Sequence, residues 1–119
     1  IKRILEIFSE NGAQAKLSSI HINGWLGQYD KLSTCREYCR RELGKDLPLI
    51  QDHVAFVGDS PNDEPMFKYF LNSFAVANIR KFAPKMNHLP AFVTPSEAGR
   101  GFCELAESLC PSMKISNKN

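Results

Sequence analysis

The fold is decided by residues 54–67, which read VAFVGDSPNDEPMF. A short apolar run ends at Gly58 and is followed by two aspartates, Asp59 and Asp63, with Asn62 between them. This order predicts a buried strand that carries carboxylates at its carboxyl end and leads into a helix. Open α/β sheets bind their ligands at that end of their strands. The stretch therefore indicates a candidate site as well as a strand.

The polar residues of this stretch favour a small cation and a phosphate group. Carboxylate oxygens are the ligands that Mg²⁺ prefers, and Mg²⁺ needs few of them because it keeps several waters. Asn62 and the amide groups at the start of the following helix are suited to phosphate oxygens. The alternative is a turn with a helix cap, because these residue types are common in both. Composition alone leaves both interpretations open.

Strands and helices alternate from Lys31 onward, which predicts an α/β fold: part of a doubly wound, mainly parallel, Rossmann-like sheet flanked by helices. The predicted strand at 54–57 is apolar on both faces, as parallel strands covered by helices are. The other elements predicted in this part of the chain are strands at 73–77 and 91–94, helices at 62–71 and 102–109, and a helical turn within 79–86.

The first 28 residues predict a helix and a hairpin. Apolar residues at positions 1, 4, 5 and 8 share one helical face, and Asn11-Gly12 ends the helix. Strands over 15–22 and 25–29 would be joined by Asn23-Gly24, a strong hairpin signal. The chain starts inside a helical pattern and without Met. We therefore expect a fragment of a longer protein.

A further helix follows Asp30 and ends at Gly44. Asp30 is its predicted N-cap, although Thr34 and Glu37 offer a competing capping box one turn later. Lys31 is unusual in the first turn, because a cation there opposes the helix dipole. A solvated lysine and a functional lysine are both compatible with that position.

Composition and charge exclude several classes of protein. The 119 residues include 15 Lys and Arg against 13 Asp and Glu, a net charge of +2, so no basic surface favours nucleic acid or a membrane. No apolar run approaches the length of a membrane span, and the first residues do not show a signal-peptide pattern. The four cysteines, at positions 35, 39, 103 and 110, lack the C-x-x-C spacing of zinc or redox sites. Reduced thiols in a cytoplasmic protein are expected.

The stretch Gly58-Asp59-Ser60-x-Asn62-Asp63-x-x-Met66-Phe67 resembles the fourth motif of haloacid dehalogenase (HAD)-type phosphatases. It is most similar to the Cof-type branch, which includes sucrose-phosphate and mannosyl-3-phosphoglycerate phosphatase-like proteins. Lys31 lies where that family places its third-motif lysine. The segments 74–78 and 93–102, the latter with Gly99-x-Gly101, resemble the family's next strand and its closing segment. The resemblance covers residues 29 to about 109.

The resemblance implies roles for four residues. Asp59 would be a Mg²⁺ ligand, and Asp63 a second ligand or a holder of metal-bound water. Asn62 would contact the phosphate, and Lys31 would neutralise charge on the phosphoryl group and on its aspartyl acceptor. The family's reaction is hydrolysis of a phosphate monoester through a phospho-aspartate, and this branch implies sugar phosphates as substrates.

The family's nucleophile motif, Asp-x-Asp-x-Thr/Ser, does not occur in the sequence. We therefore expect the C-terminal part of such a phosphatase, inactive by itself. The organisation implied is the end of a cap domain at 1–28, the C-terminal part of the core at 29–111 and a mobile tail at 112–119. Without the nucleophile strand, the strand 54–57 would present an open edge, and we expect self-association or domain swapping through it.

Two other classes of function are compatible with the sequence. One is a non-catalytic phosphate- or metal-binding module that keeps the fold and lacks the nucleophile. The other is a receiver-like signalling domain, in which an aspartate at a strand end accepts phosphate. A receiver needs a further acidic pair near its start, and residues 1–28 offer only Glu6 and Glu10, both in the first predicted helix.

Overall fold

The computed structural model describes residues 1–17 and 21–111, and the chain divides into two compact units, Ile1–Ile50 and Gln51–Asn119. The predicted organisation into 1–28, 29–111 and 112–119 stays a prediction, and the predicted tail lies outside the described residues. Within the described ranges, no helix combines the length and hydropathy needed to cross a membrane.

The described residues of the first unit form three helices and a two-stranded antiparallel sheet. Its elements, in chain order, are α1 (Lys2–Glu10), β1 (Gln14–Leu17), β2 (Ile22–Trp25), α2 (Lys31–Glu42) and α3 (Leu47–Ile50). Helix α2 begins where predicted, because Asp30 caps it: its Oδ1 accepts a hydrogen bond from the Ser33 backbone N–H at 2.7 Å. The Ser33 hydroxyl in turn accepts one from the Asp30 N–H at 2.8 Å, which completes a capping box.

Strands β1 and β2 pair antiparallel, but not at the predicted positions: the predicted second strand at 25–29 and the predicted turn at Asn23-Gly24 are wrong. Both residues lie inside β2 and pair with residues of β1. A Cβ on Gly24 would lie 2.2 Å from the ring of Phe8, so the glycine serves a close approach of α1 to the strand. Residues 18–20 of the predicted first strand lie outside the described residues.

The second unit is a parallel sheet flanked by helices. Its strands are β3 (Phe56–Gly58), β4 (Ser73–Ala75) and β5 (Phe92–Val93), in the order β3-β4-β5, and both pairs are parallel. Its α-helices are α4 (Glu64–Tyr69) and α5 (Ala98–Leu109), and short 3₁₀ turns occupy Gln51–His53, Pro61–Asp63, Ala77–Lys81 and Ala83–Lys85. The predicted α/β class with a parallel sheet is confirmed.

The two α-helices of this unit differ from the prediction at their starts. Helix α4 begins at Glu64, two residues after the predicted start, because Pro61–Asp63 form a 3₁₀ turn first. Pro65 is accommodated because it lies in the first turn of α4. Helix α5 begins at Ala98, four residues before the predicted start, and so includes two glycines.

An aromatic core fixes α4 against the sheet. Phe67, Ala75 and Ile79 are buried together, and Phe56 of β3 packs against them. The ring of Phe56 lies 5.8 Å from that of Phe67 and 5.9 Å from that of Phe70, both on or just after α4. Such aromatic pairs add to the stabilisation that burial provides. The loop between β3 and α4 is therefore held at both ends.

Candidate metal and phosphate site

The loop that joins β3 to α4 folds around the carboxylate of Asp63. The Oδ2 atom of Asp63 accepts a hydrogen bond from the backbone N–H of Asp59 at 2.9 Å and from that of Ser60 at 3.3 Å. Asp63 is only 3% exposed, and Ser60 is 8% exposed. A buried carboxylate needs donors, and here the loop's own backbone supplies two of them. Ser60 and Asp63 form a capping box at the Pro61–Asp63 turn, so the turn with a helix cap that the sequence left open is present.

Gly58 lets the loop close in this way. A Cβ at position 58 would lie 2.5 Å from Asp63 Oδ2 and 2.7 Å from both its Cβ and its Cγ. Those distances are shorter than any real Cβ contact, so any larger residue would displace the aspartate. The glycine at the end of β3 and the second aspartate thus form one local unit.

Asp59, Asn62 and Asp63 are brought together in this loop, at the carboxyl end of β3. Asp59 is exposed, Asn62 is half-buried and Asp63 is buried. Because the backbone N–H of Asp59 is bonded to Asp63, the main chain at Asp59 is fixed while its side chain is open to solvent. That combination suits a carboxylate that binds a ligand from solution.

The carboxyl ends of the three strands are linked to one another by backbone hydrogen bonds. The N–H of Val76, just after β4, donates to the carbonyl oxygen of Gly58 at 3.1 Å. The N–H of Ala77 donates to the carbonyl oxygen of Ser96 at 3.1 Å, and Ser96 lies three residues beyond β5. The candidate site therefore lies on a connected edge of the sheet.

The segment after β5 is held by Glu104 of α5. The Glu104 carboxylate accepts hydrogen bonds from the Ser96 N–H at 3.1 Å and from the Ser96 hydroxyl at 2.5 Å. These two donors, the hydroxyl first, hold the pKa of Glu104 below its usual value. The hydroxyl of Thr94 also donates to the Ser96 carbonyl oxygen, at 2.8 Å. Sequence reasoning singled out Gly99 and Gly101 in this segment but missed Ser96 and Glu104.

Glu64, which directly follows Asp63, ties the start of α4 to the loop before β5. Its Oε1 accepts hydrogen bonds from the N–H groups of Asn87 at 2.8 Å and His88 at 2.9 Å. Partial burial raises the pKa of Glu64, but these donors and the His88 ring outweigh it and hold the pKa below its usual value. No local pattern indicated this contact, because its partners lie more than twenty residues away.

The carboxylates of Asp59 and Asp63 could provide part of a Mg²⁺ site. In residues 1–17 and 21–111, no group of three or more His, Cys, Asp or Glu side chains is placed to hold a metal. Asp59 and Asp63 offer carboxylates within five residues of each other, and Mg²⁺ is commonly bound through one or two carboxylates plus waters and phosphate oxygens. Asp59, the exposed one, fits a direct ligand best.

Lys31 is the first residue of α2, in the first unit, and it is exposed. The prediction that Lys31 opens a helix is confirmed by the Asp30 cap. Its assignment to the phosphate stays a prediction, as do those of Asp59, Asn62 and Asp63.

Comparison with known proteins identifies the family to which these residues point. A family model described as haloacid dehalogenase-like hydrolase matches residues 27–102, more than half of the chain. The matched span contains Lys31, the Asp59–Asp63 loop and Gly101. No curated protein and no solved structure matches the chain. The resemblance stated from the sequence is confirmed.

Proposed function

The chain belongs to the haloacid dehalogenase-like hydrolase family, and we propose that it supplies the metal- and phosphate-binding part of a Mg²⁺-dependent phosphatase site. The observation that carries this proposal is the loop after β3. In it, the backbone of the exposed Asp59 is fixed by the buried carboxylate of Asp63. A fixed main chain with an open carboxylate is a preorganised ligand position.

Each predicted residue has a defined task in this proposal. The Asp59 carboxylate holds the Mg²⁺, and Asp63 fixes the loop and supports metal-bound water. The Asn62 amide donates to a phosphate oxygen. From the sequence resemblance alone, the Lys31 ammonium would neutralise charge on the phosphoryl group. Bound Mg²⁺ would polarise the phosphoryl oxygens and so favour attack at phosphorus.

The proposed reaction is hydrolysis of a phosphate monoester, with a sugar phosphate as the substrate class, through a phospho-aspartate. The substrate class rests on the sequence resemblance to Cof-type phosphatases. None of the five aspartates, at positions 30, 46, 52, 59 and 63, belongs to an Asp-x-Asp pattern. We propose that the nucleophile is supplied from outside these residues and that the chain alone does not turn over phosphate esters.

An assay of the 119-residue chain with p-nitrophenyl phosphate and Mg²⁺ tests this proposal. We expect no hydrolysis above that of buffer, but Mg²⁺ binding that Asp59→Asn abolishes. Asp52→Asn is the matched control, because Asp52 is an exposed aspartate of the same unit that contacts the neighbouring His53. Mg²⁺-dependent hydrolysis by this chain, lost in Asp59→Ala, would overturn the claim that the nucleophile is supplied from elsewhere.

The missing Asp-x-Asp pattern also supports a second candidate function, a non-catalytic phosphate- or metal-binding module of the same fold. The sequence of the full reading frame distinguishes the two candidate functions. An Asp-x-Asp-x-Thr/Ser pattern encoded upstream of Ile1 would favour the phosphatase. A complete reading frame without that pattern would favour the binding module.

We further propose that the chain associates with a second copy through strand β3. Among the described strands, β3 has one neighbour, β4, and it lies at the edge of the order β3-β4-β5. Phe56 and Val57 are partly exposed, so the open edge carries apolar side chains. Sedimentation at high concentration tests this, and a monomer throughout would contradict it.

We propose a cytoplasmic location. All four cysteines are free thiols, two of them half-buried, one buried and one exposed. Free thiols persist in reducing compartments, which supports this location.

A further inference from the structure

We infer that Glu104, on α5, is a positioning residue for the candidate site, an inference that rests on the proposed function of the Asp59 loop. Glu104 is not part of that loop and holds no proposed ligand. Its carboxylate binds both the N–H and the hydroxyl of Ser96. Two donors on one residue fix the position and orientation of that residue's backbone. Glu104 therefore determines where the Ser96 carbonyl lies.

The Ser96 carbonyl joins the ends of two strands. Its oxygen accepts two hydrogen bonds: one from the N–H of Ala77, after β4, at 3.1 Å, and one from the hydroxyl of Thr94, just after β5, at 2.8 Å. A Cβ at Gly101 would lie 2.2 Å from this oxygen and 2.5 Å from Thr94 Oγ1. The lack of a side chain at Gly101 thus lets α5 pack directly on the bonded carbonyl.

The connection continues from β4 to the Asp59 loop. Val76, the residue before Ala77, donates its N–H to the carbonyl oxygen of Gly58, and Gly58 directly precedes Asp59. Three hydrogen-bonded steps therefore lead from Glu104 to the backbone of the proposed Mg²⁺ ligand: Glu104 to Ser96, Ser96 to Ala77, and Val76 to Gly58.

A second hydrogen bond connects the segment after β4 to the start of α5. The Asn78 Oδ1 accepts a hydrogen bond from the Ala98 N–H at 2.7 Å. Ala98 has a φ of +47°, in the left-handed region that a residue with a Cβ adopts at a cost. The hydrogen bonds of Asn78 and of Ser96 both connect the segment after β4 to α5. Helix α5 therefore stabilises the position of the strand ends that carry the candidate site.

Amide hydrogen exchange of the ¹⁵N-labelled chain, followed by NMR, tests the inference. We compare the exchange rates of Glu104→Ala and wild type at three amides. The N–H of Ala77 bonds to Ser96 and that of Asp59 to Asp63, both at the carboxyl ends of the strands. The N–H of Phe70 bonds to Met66, away from those strand ends, and serves as the reference. We expect exchange at Ala77 and Asp59 to rise about tenfold more than at Phe70. We also expect Mg²⁺ affinity to fall about tenfold.

Two further variants separate positioning from a loss of stability. Glu104→Gln keeps an acceptor for the Ser96 N–H and adds an N–H donor to the Ser96 hydroxyl, so the exchange rates at Ala77 and Asp59 and the Mg²⁺ affinity should stay close to those of wild type, although the lost charge lowers stability. It also serves if Glu104→Ala does not fold. Glu107→Ala, on an exposed position of the same helix, should leave Ala77, Asp59 and Mg²⁺ affinity unchanged.

If amide exchange in Glu104→Ala rises equally at Ala77, Asp59 and Phe70, the inference is wrong, because Glu104 would then contribute only to overall stability. No acceleration in Glu104→Ala would overturn it as well. If the wild-type chain binds no Mg²⁺, the proposed metal site fails, whereas the exchange rates still decide whether Glu104 positions the backbone at Asp59.

Discussion

The Oδ2 atom of Asp63 lies 2.5 Å from the place that a Cβ on Gly58 would occupy. The last residue of β3 is therefore glycine because the carboxylate of an aspartate five residues later fills the space beside it. The same oxygen accepts hydrogen bonds from the N–H groups of Asp59 and Ser60. The spacing of glycine and two aspartates in the sequence thus reflects one folded loop, whose exposed member is Asp59.

Gly58→Ala should destabilise the chain. The new methyl group would meet the Asp63 side chain at 2.5–2.7 Å, so the loop or the strand must move, at a cost of about 1–3 kcal/mol in the free energy of unfolding. Urea unfolding followed by circular dichroism measures the loss. Gly99→Ala is the matched control: nothing lies within 4 Å of a Cβ there, and because alanine is the better helix former, the variant should be as stable as wild type or more stable by up to about 1 kcal/mol. Equal effects of the two variants would contradict the close packing at Gly58.

The two aspartates of the loop should differ in what their removal changes. Asp63→Ala leaves the N–H groups of Asp59 and Ser60 without their acceptor in a buried place, which should cost about 1–3 kcal/mol of stability. Asp59→Ala removes an exposed side chain and should change stability by less than about 0.5 kcal/mol. Thermal unfolding of both variants checks this order. A larger loss in Asp59→Ala than in Asp63→Ala would refute it.

The Asp30 cap should determine the stability of α2. Asp30→Ala removes the acceptor of the Ser33 N–H and should cost about 1 kcal/mol, seen as lost helix signal and a lower melting temperature by circular dichroism. Asp30→Ser is the control, because serine also caps helices and should remain close to wild type. Equal melting temperatures of the alanine and serine variants would contradict a stabilising role of the Asp30 cap.

Stability should fall in acid partly through Glu104. Hydrogen bonds from the Ser96 hydroxyl and N–H, with a smaller contribution from Arg100, hold the pKa of Glu104 below the usual 4.5. A lowered pKa in the folded state means that the ionised form stabilises the fold. Its contribution is fully present above pH 4.5 and is lost as the pH falls through the lower, folded-state pKa.

Glu104→Gln removes that titration. Its urea midpoint should lie below that of wild type at pH 7, and the difference should shrink as the pH falls below 4.5. Glu107→Gln, on the exposed face of α5, should follow wild type at each pH. A difference between wild type and Glu104→Gln that stays constant from pH 7 to acid would show that the Glu104 charge does not contribute.

Much of the fold could be predicted from the sequence because its signals are local. The apolar run before Gly58, the Asp30 cap and the alternation of strands with helices each depend on a few neighbouring residues. The place of Asp59, Asn62 and Asp63 at a strand end followed from the same short stretch. In the second unit the predicted bounds of strands and helices differ from the observed ones by one to four residues.

The remaining features depend on contacts between distant residues. Asn23-Gly24 predicted a turn from its local preference, but the approach of Phe8 to Gly24 places both residues within β2. The bonds of Glu64 to Asn87 and His88 span 23 and 24 residues, and no spacing in the sequence indicates them. The burial of Asp63 and its bond to the Asp59 N–H are likewise visible only once β3 and α4 are packed, whereas its capping of the turn was one of the two local interpretations.

Mg²⁺ binding by the Asp59 loop can be measured by a Mg²⁺ titration of the ¹⁵N-labelled chain. We expect saturable shifts of the backbone amide signals of residues 59–63, which are lost in Asp59→Asn and kept in Asp52→Asn. The absence of saturable shifts in the wild type, or their persistence in Asp59→Asn, would contradict Mg²⁺ binding by this loop.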